Sequence, residues 1–471
     1  MSFSGILFAV SLVATLVFLW RHVRVSFGLS STLLGLVVLL HGPAYWHYTR
    51  EWGLGEGALF RLYNSQWPQQ IGTAAQQAAG GRFADNMQAA IRSGRVVETM
   101  DLALALSLMA LCAGIWLADC VFRQTPQSHD LSLSRWSAAS RTIDEHPRLT
   151  LMPWLAIGGA LLMMLFVYRD AQLAKVYTYF FSHAGEFEKI AMRRQMGGSR
   201  SYLFNLMLST VLPFIAFYLW SWWRDRRRYG VLALTGTFVL LLVTAKLATL
   251  SKAPGAIFVL QLLVLEFARR SLRVNVRQGL MLTVFSLVLF SAMTFAANSD
   301  LGGMQQSLVF LFYRVFMIPN ESLLEYFSAF PQHLAHTLGH DIRPLAKLMG
   351  IEPLQSNYWR VAELHRGTPG STTTAMFVAD AWAAWAWQGV AAASLALGFL
   401  VRWIDIELIV KRGRSCATIA GIGLGHHGLF IVMSTSFQTA LLTGGLTLIL
   451  PLVAIAQWRL RRHPQARIAA E

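Results

Sequence analysis

Charged residues are scarce in this chain, and their scarcity excludes most classes of soluble protein. Asp, Glu, Lys and Arg make up 14% of the 471 residues, whereas a typical soluble domain contains about 25%. Apolar residues make up 55%, which also excludes a disordered chain. The only three cysteines, Cys112, Cys120 and Cys416, lie in apolar runs, so we expect no disulfide framework and no cysteine metal site. The composition predicts an all-α, polytopic membrane protein.

Acidic residues are the scarcer of the two charge types. The chain has 24 of them against 40 Lys and Arg, a formal net charge of +16. In a soluble protein such a balance indicates nucleic-acid binding. In a membrane protein, Lys and Arg collect in cytoplasmic loops instead. The charge therefore has to be compared with the membrane topology first.

Apolar runs long enough to cross a bilayer, about 20 residues each, follow one another along the chain. The first run precedes its basic residues, Arg21 and Arg24, which is not the order of a cleaved signal peptide. We expect eleven membrane spans, at residues 4–20, 27–45, 101–122, 150–168, 203–223, 230–250, 255–268, 279–297, 374–400, 415–435 and 437–457.

Arginines in the short loops define one orientation. More than half of the 40 basic residues fall in alternate short segments, beginning with 21–26 and ending with the C-terminal residues. The positive-inside rule places these segments in the cytoplasm, with the N-terminus outside and the C-terminus inside. This topology explains the net charge, so no nucleic-acid partner is predicted.

Three long loops then lie on the outer side, at 46–100, 169–202 and 298–373. Loops of this length are usually functional or disordered. Within the third, residues 305–319 are apolar but too few to span, which predicts a re-entrant or interfacial helix. Pro319 ends this segment, and we expect Asn320 to be the N-cap of a new helix with Glu321 in its first turn.

Basic residues near the outer side have two interpretations each. Lys189 and Arg193 would share a helical face behind Glu186, and the spacing favours a solvated, ion-paired face over an anion site. Lys246 and Lys252 lie near the outer end of the sixth span, where they either face a polar cavity or extend to the interface.

His333, His336 and His340 have spacings that one helical face could present, with Asp341 or His365 nearby. No HExxH pattern accompanies them, so a polar loop face is favoured over a metal site. No metal and no cofactor are predicted.

Four stretches carry a resemblance to a known family. They are residues 192–195 (MRRQ), 251–256 (SKAPGA), 312–316 with 319–321 (FYRVF, PNE), and a last group comprising 357–359 (NYW), 367–373 (GTPGSTT), 380–382 (DAW) and 388–389 (QG). In order and topology the chain resembles the bacterial oligosaccharide repeat-unit polymerases, the Wzy-type enzymes of O-antigen, enterobacterial common antigen and exopolysaccharide synthesis. Relatives often have Arg where this chain has Lys252.

The resemblance implies a membrane glycosyltransferase with a GT-C-like fold, similar to the O-antigen ligases. Such enzymes use undecaprenyl-pyrophosphate-linked oligosaccharides as donor and acceptor at the outer face of the bacterial inner membrane. The family is not known to require a divalent metal. A chain-length-regulating co-polymerase is an implied partner, together with membrane lipid.

A diphosphate leaving group has to be stabilised by a metal or by Arg and Lys. Cations in or near the family-like stretches are therefore the candidate pyrophosphate-binding residues: Arg193, Arg194, Lys252, Arg314, Arg360 and Arg366. We expect Arg194, Lys252 and Arg314 to hold the diphosphates, and Arg314 to act in catalysis as well.

The acceptor hydroxyl needs a group that takes its proton. Asp380 and Glu321 are the first candidates, ahead of Glu363, His336 and His365. Instead of acting as the base, Asp380 could equally form an ion pair with an outer arginine. Glu321 could instead only stabilise the N-terminus of a helix. Tyr358 and Trp359 are the candidate sugar-stacking residues, and an interfacial aromatic belt is the alternative for the other outer aromatics.

Two other functions remain open on sequence. A glycan ligase shares the fold and the charge pattern. A lipid-linked oligosaccharide flippase or transporter would carry polar groups near the membrane midplane. The concentration of ionisable residues at the outer edge favours an enzyme.

Overall fold

A computed structural model describes most of the chain as helix. The residues it describes are 2–50, 90, 93–138, 152–169, 177, 202–227, 229–247, 253–297, 308, 311–366, 373–435 and 437–461. Within these ranges the only β pairing is an isolated antiparallel bridge between Ser26 and Arg273. The all-α prediction is confirmed for this part of the chain.

Helices occupy all eleven apolar runs. In the part of the chain that the structure describes, five stretches are both long and apolar enough to cross a membrane: Phe3–Val23, Leu29–Arg50, Arg95–Val121, Tyr229–Leu247 and Phe437–Gln457. The number of eleven spans stays a prediction. The helices are α1 Phe3–Phe18, α2 Leu29–His41, α3 Pro43–His47, α4 Arg95–Val121, α5 Pro126–Ala138, α6 Met152–Arg169, α7 Tyr202–Leu206, α8 Leu212–Arg226, α9 Tyr229–Leu247, α10 Ala253–Arg270, α11 Val276–Ala297, α12 Ile318–Ala329, α13 Arg343–Leu348, α14 Asn357–Arg366, α15 Phe377–Asp405, α16 Cys416–Val432, α17 Phe437–Leu441 and α18 Ile449–Arg461.

Three of the expected spans are interrupted. The second breaks at Gly42 before Pro43, and the last breaks between α17 and α18 around Gly445. In α15 the backbone leaves the helical region at Trp385 and Ala386. Broken backbone inside a membrane protein needs internal partners. The hydroxyls of Ser209 and Thr210 supply them at the last break by donating to the carbonyl of Thr443 at 2.7 and 2.8 Å.

The prediction that Asn320 is an N-cap is wrong. Residues 311–329 are helical without a stop, and a π-helical turn at Tyr313–Met317 precedes Pro319. Pro319 cannot donate to the preceding turn, and the wider turn accommodates that missing bond. The Asn320 amide donates to the carbonyl of Phe316 at 2.7 Å, so it satisfies an acceptor within the helix.

Two long helices, α4 and α15, form the most extensive packing in the molecule. A Cβ on Gly114 would lie 2.1 Å from the carbonyl oxygen of Leu395, and one on Gly398 would lie 2.3 Å from that of Leu111. Only glycine fits at both places. Close backbone contact through small residues is typical of membrane helix pairs.

One end of the bundle, here called the basic end, collects the arginine-rich loops. Arg273 pairs with Asp130 at 2.8 Å, and Arg269 pairs with Asp225 at 3.0 Å. These contacts join segments that the orientation analysis places on one membrane side. Which side faces the cytoplasm stays a prediction. The segments of the basic end are residues 21–28, 123–138, 224–227, 269–275 and 402–414.

A buried ion pair fixes α15 to α4 at the basic end. The Nε of Arg402 donates to Asp119 at 2.8 Å, and His22 contacts the other oxygen of that carboxylate at 2.9 Å. Nη1 of Arg402 lies 3.3 Å from Nε2 of His129. Burial, followed by the charge of Arg402, lowers the pKa of His129 to about 3. His129 is therefore neutral and accepts this hydrogen bond.

We expect Arg402→Ala to destabilise the protein by about 3 kcal/mol or more, because it leaves the carboxylate of Asp119 buried without its main cation. Arg273→Ala is the matched control. It removes an exposed ion pair, which is worth about 1 kcal/mol at most. The measurement is the unfolding midpoint of both variants in detergent. Equal midpoints would contradict a structural role for Arg402.

Candidate functional site

The end of the bundle opposite the basic end, here called the loop end, contains a buried polar cluster built on α12. Residues 320–329 of this helix are all buried. Glu321 and Glu325 lie one turn apart and therefore share a face. Glu321 accepts a hydrogen bond from the Tyr313 hydroxyl, and Glu325 accepts one from Thr373, both at 2.5 Å. Buried carboxylates require such donors.

Asn320 anchors this helix to α2. Its amide nitrogen donates to the carbonyl of Leu40 at 2.9 Å, and its oxygen lies 2.8 Å from Nδ1 of His41. The contact joins α12 to the end of α2 just before its break at Gly42. The carboxylates of α12 are thereby placed against a membrane-spanning helix.

Asp380, in the first turn of α15, is the candidate base that is partly exposed and also lies beside a buried tyrosine. The hydroxyl of Tyr326 donates to the carbonyl of Thr373 at 3.3 Å and lies close to the Asp380 carboxylate. Burial, followed by the negative charges of Asp380, Glu325 and Asp341, raises the pKa of Tyr326 well above its usual value. Tyr326 is therefore always a donor.

The sequence left open whether Asp380 pairs with an outer arginine. No ion pair joins it to a Lys or Arg of the described ranges. A nearby carboxylate, Asp341, accepts from Thr337 at 2.7 Å and from Asn357 at 3.0 Å. Both of its oxygens are thus occupied. Asp380 and Asp341 are both half-buried, whereas Glu321 and Glu325 are buried.

Aromatic rings enclose the first half of α15. Trp382 stacks on Phe327 at 4.7 Å, and its indole nitrogen donates to the carbonyl of Phe330 at 3.2 Å. His336 packs between Phe330 and Trp382. This packing explains why His336 is half-buried and favours a structural role for it over proton transfer.

The three spaced histidines do not share a helical face. Residues 330–342 form turns, because α12 ends at Ala329 before Pro331. The helical face on which a metal site would have depended is therefore not formed by these residues, and the favoured polar loop face stays a prediction. Among the described residues, no group of three or more His, Cys, Asp or Glu is arranged to hold a metal ion.

The two other candidate bases on α14, His365 and Glu363, differ in their exposure to solvent. His365 is buried, with Nε2 at 2.9 Å from the carbonyl of Glu325 and 3.1 Å from the Ser328 hydroxyl. It ties α14 to α12. Glu363 is exposed on α14.

Tyr358 and Trp359 lie on α14 at the edge of the polar cluster. Their rings pack against each other at 5.9 Å, and both are half-buried. The carbonyl of Tyr358 accepts from the amide of Thr373 at 3.0 Å, which links this pair to the partner of Glu325. The predicted sugar-stacking residues are therefore beside the carboxylates.

The cations of the site fall into two places. Arg314 is exposed on the helical stretch that leads into α12. Arg360 lies over the ring of Phe330 at 5.9 Å, past the other end of α12. About 22 Å of helical rise separates residue 314 from the end of α12. Arg314 and Arg360 therefore lie towards opposite ends of α12.

The remaining predicted cations have no described side chains. Arg193, Arg194 and Lys252 lie outside the described residues, and of Arg366 only the backbone is described. Their assignment to diphosphate binding stays a prediction.

Sequence analysis missed Glu325 and Tyr326, and it named Asp341 only as a possible neighbour of the three histidines. A signal for the first was present, because Glu321 and Glu325 are four residues apart in an apolar helix. Two like charges at that spacing destabilise a helix unless other groups compensate them. Tyr326 and Asp341 carried no comparable signal, since their partners come from other elements.

A scan against protein-family models, a search of curated proteins and a search of solved structures found no match to this chain.

Proposed function

We propose that this chain is a membrane glycosyltransferase that polymerises undecaprenyl-pyrophosphate-linked oligosaccharide repeat units at the outer face of a bacterial inner membrane. Its fold is then GT-C-like with eleven spans, its N-terminus is periplasmic, and its C-terminus is cytoplasmic. The observation that carries the proposal is the cluster at the loop end. It combines buried carboxylates, a partly exposed aspartate and cations on one end of a helical membrane protein.

The proposed reaction uses few groups. A hydroxyl of the acceptor sugar attacks the anomeric carbon of the donor sugar, and the bond from that carbon to the diphosphate oxygen breaks. Asp380 takes the proton of the attacking hydroxyl, and undecaprenyl pyrophosphate leaves with the bonding electrons. Arg314 stabilises the departing charge.

Tyr326 supports the assignment of Asp380. Its protonated hydroxyl lies close to the carboxylate, where it can help to orient the side chain, as a base has to be oriented. Glu321 is more deeply buried and already accepts from Tyr313. Its proposed role is to support the helix that carries Arg314, which ranks it below Asp380 as a base.

The separation of Arg314 from Arg360 fits a reaction with two lipid-linked substrates. Each substrate carries its own diphosphate. We assign Arg314 to the donor and Arg360, with Arg366, to the acceptor. Arg193, Arg194 and Lys252 complete the proposed set, and Tyr358 and Trp359 contact the sugars near Arg360.

The test uses purified protein with a lipid-linked repeat unit in detergent, in the presence of EDTA. The proposal expects a ladder of products, with a rate unchanged by the chelator because Arg and Lys stabilise the diphosphate. Transfer of the glycan to lipid A would identify a ligase instead. Movement across a vesicle bilayer without a new bond would identify a flippase, and a rate abolished by EDTA would contradict metal-independent catalysis.

A further inference from the structure

A cavity of about 430 Å³ lies between α1 and the segment that follows the break in α2. Ala9, Leu12 and Val13 form one wall, and Pro43 and Trp46 form the other. The volume is in the range of small-molecule sites, about 300–1,000 Å³. Its lining is mostly apolar, with His47 as its one ionisable side chain, so an apolar occupant fits it best.

Gly42 creates the cavity. Its φ and ψ of −98° and −102° turn the chain out of the helix, and Pro43 starts the next one. A Cβ at this position would lie 2.3 Å from the carbonyl oxygen of Val38, so only glycine is accommodated. The break is thus built into the sequence, and it separates the end of the helix from α1.

Both walls belong to stretches that are long and apolar enough to span a membrane, Phe3–Val23 and Leu29–Arg50. The cavity is open to the outside of the bundle, as the 60% exposure of Val13 indicates. In a bilayer this surface faces lipid. The cavity is therefore expected to be filled by a hydrocarbon chain of a lipid.

The cavity also adjoins the polar cluster. Helix α3, which forms one wall, packs against the turn Tyr313–Met317 that carries Arg314. Trp46 in that wall lies under the guanidinium of Arg50 at 4.5 Å, and Arg50 pairs with Asp101 at 2.7 Å. An amphiphile with its chain in the cavity has its head at the level of these cations.

We propose that this cavity holds the head-proximal part of the polyprenyl chain of the donor, with the diphosphate at Arg314. The inference rests on the proposed function, because it is that function which selects a polyprenyl diphosphate over other anionic lipids. It makes the break at Gly42 a substrate-positioning feature.

Photolabelling tests the inference without requiring turnover. The probe is farnesyl diphosphate with a diazirine on its last isoprene unit, added to the purified full-length protein. We expect labelled peptides from residues 3–18 and 43–50, with competition by undecaprenyl pyrophosphate and not by phosphatidylglycerol. Equal competition by phosphatidylglycerol, or a label elsewhere in the chain, would overturn the inference.

Two matched valines provide the variants. Val13 lines the cavity, whereas Val10 lies on the same helix with similar exposure, 58% against 60%, and is not in the lining. We expect Val13→Trp to reduce labelling about ten-fold, because filling the cavity removes the burial of about two methylene groups. Val10→Trp keeps full labelling. Equal labelling of the two variants would overturn the inference, and Ala9→Phe repeats the test if Val13→Trp does not fold.

Failure of this inference can be distinguished from failure of the proposed function. Labelling of the cavity without ladder formation would leave the lipid site standing and remove glycosyl transfer. Ladder formation with the label outside the cavity would support glycosyl transfer and remove the lipid site.

Discussion

Asp380→Asn reduces polymer formation about 100-fold or more while the protein is made and folded normally. This result is expected because a positioned base contributes about 10²- to 10⁴-fold to a rate. Asparagine has nearly the same shape, so the packing of α15 on α12 survives. The measurement is the rate of ladder formation by the purified variant.

Glu363→Gln is the control for this prediction. Glu363 was also a candidate base, but it is exposed on α14. Its replacement is expected to leave the rate within about two-fold, since exposed surface changes are usually nearly neutral. If Asp380→Asn retained wild-type activity, Asp380 would not be the base. If Glu363→Gln lost activity instead, the base would lie on α14.

Arg314→Ala is expected to lower the rate of ladder formation by about 10- to 100-fold. The range follows from the usual contribution of a hydrogen bond to a charged group. Arg314 is exposed at the loop end, where we expect its guanidinium to contact the substrate. Arg314→Lys should recover part of the rate, because a lysine keeps the charge but not the two-pronged contact with a phosphate.

Lys347→Ala is the matched control for charge. Lys347 is an exposed cation in the same outer loop, on α13, and none of the proposed steps uses it. Normal long polymer from a well-expressed Arg314→Ala variant would contradict the diphosphate assignment. An equal loss in Lys347→Ala would mean that the loop acts through its overall charge.

Most of the fold was predictable because hydropathy depends on residue type alone. Every predicted span contains a helix, and the loops that the arginines placed on one side meet at one end, as Ser26 and Arg273 illustrate. The breaks were less predictable. Gly42 before Pro43 was a visible signal, but Trp385 and Ala386 carry no residue type that marks a break.

The site was predictable only in part. Asp380 stood out because it is a carboxylate in an apolar run, and the structure places it beside Tyr326. Asn320 was misassigned, because the pattern of Pro319 followed by Asn and Glu also occurs at true helix starts. The sequence pattern does not reveal the preceding π-helical turn, because that turn packs against α2 and α3 in the folded protein.

The distance between Arg314 and Arg360 could not be read from the sequence either. Both lie in one loop, and only the length of α12 separates them. The two-substrate assignment therefore comes from the fold, whereas the choice of cations came from the sequence.

The most direct test is an experimental structure of the protein with undecaprenyl pyrophosphate bound in EDTA. We expect the diphosphate to bind at the loop end, within hydrogen-bonding distance of Arg314. The first isoprene units should lie between α1 and α3. A diphosphate bound among the arginines of the basic end, or bound at the loop end away from Arg314, would contradict it.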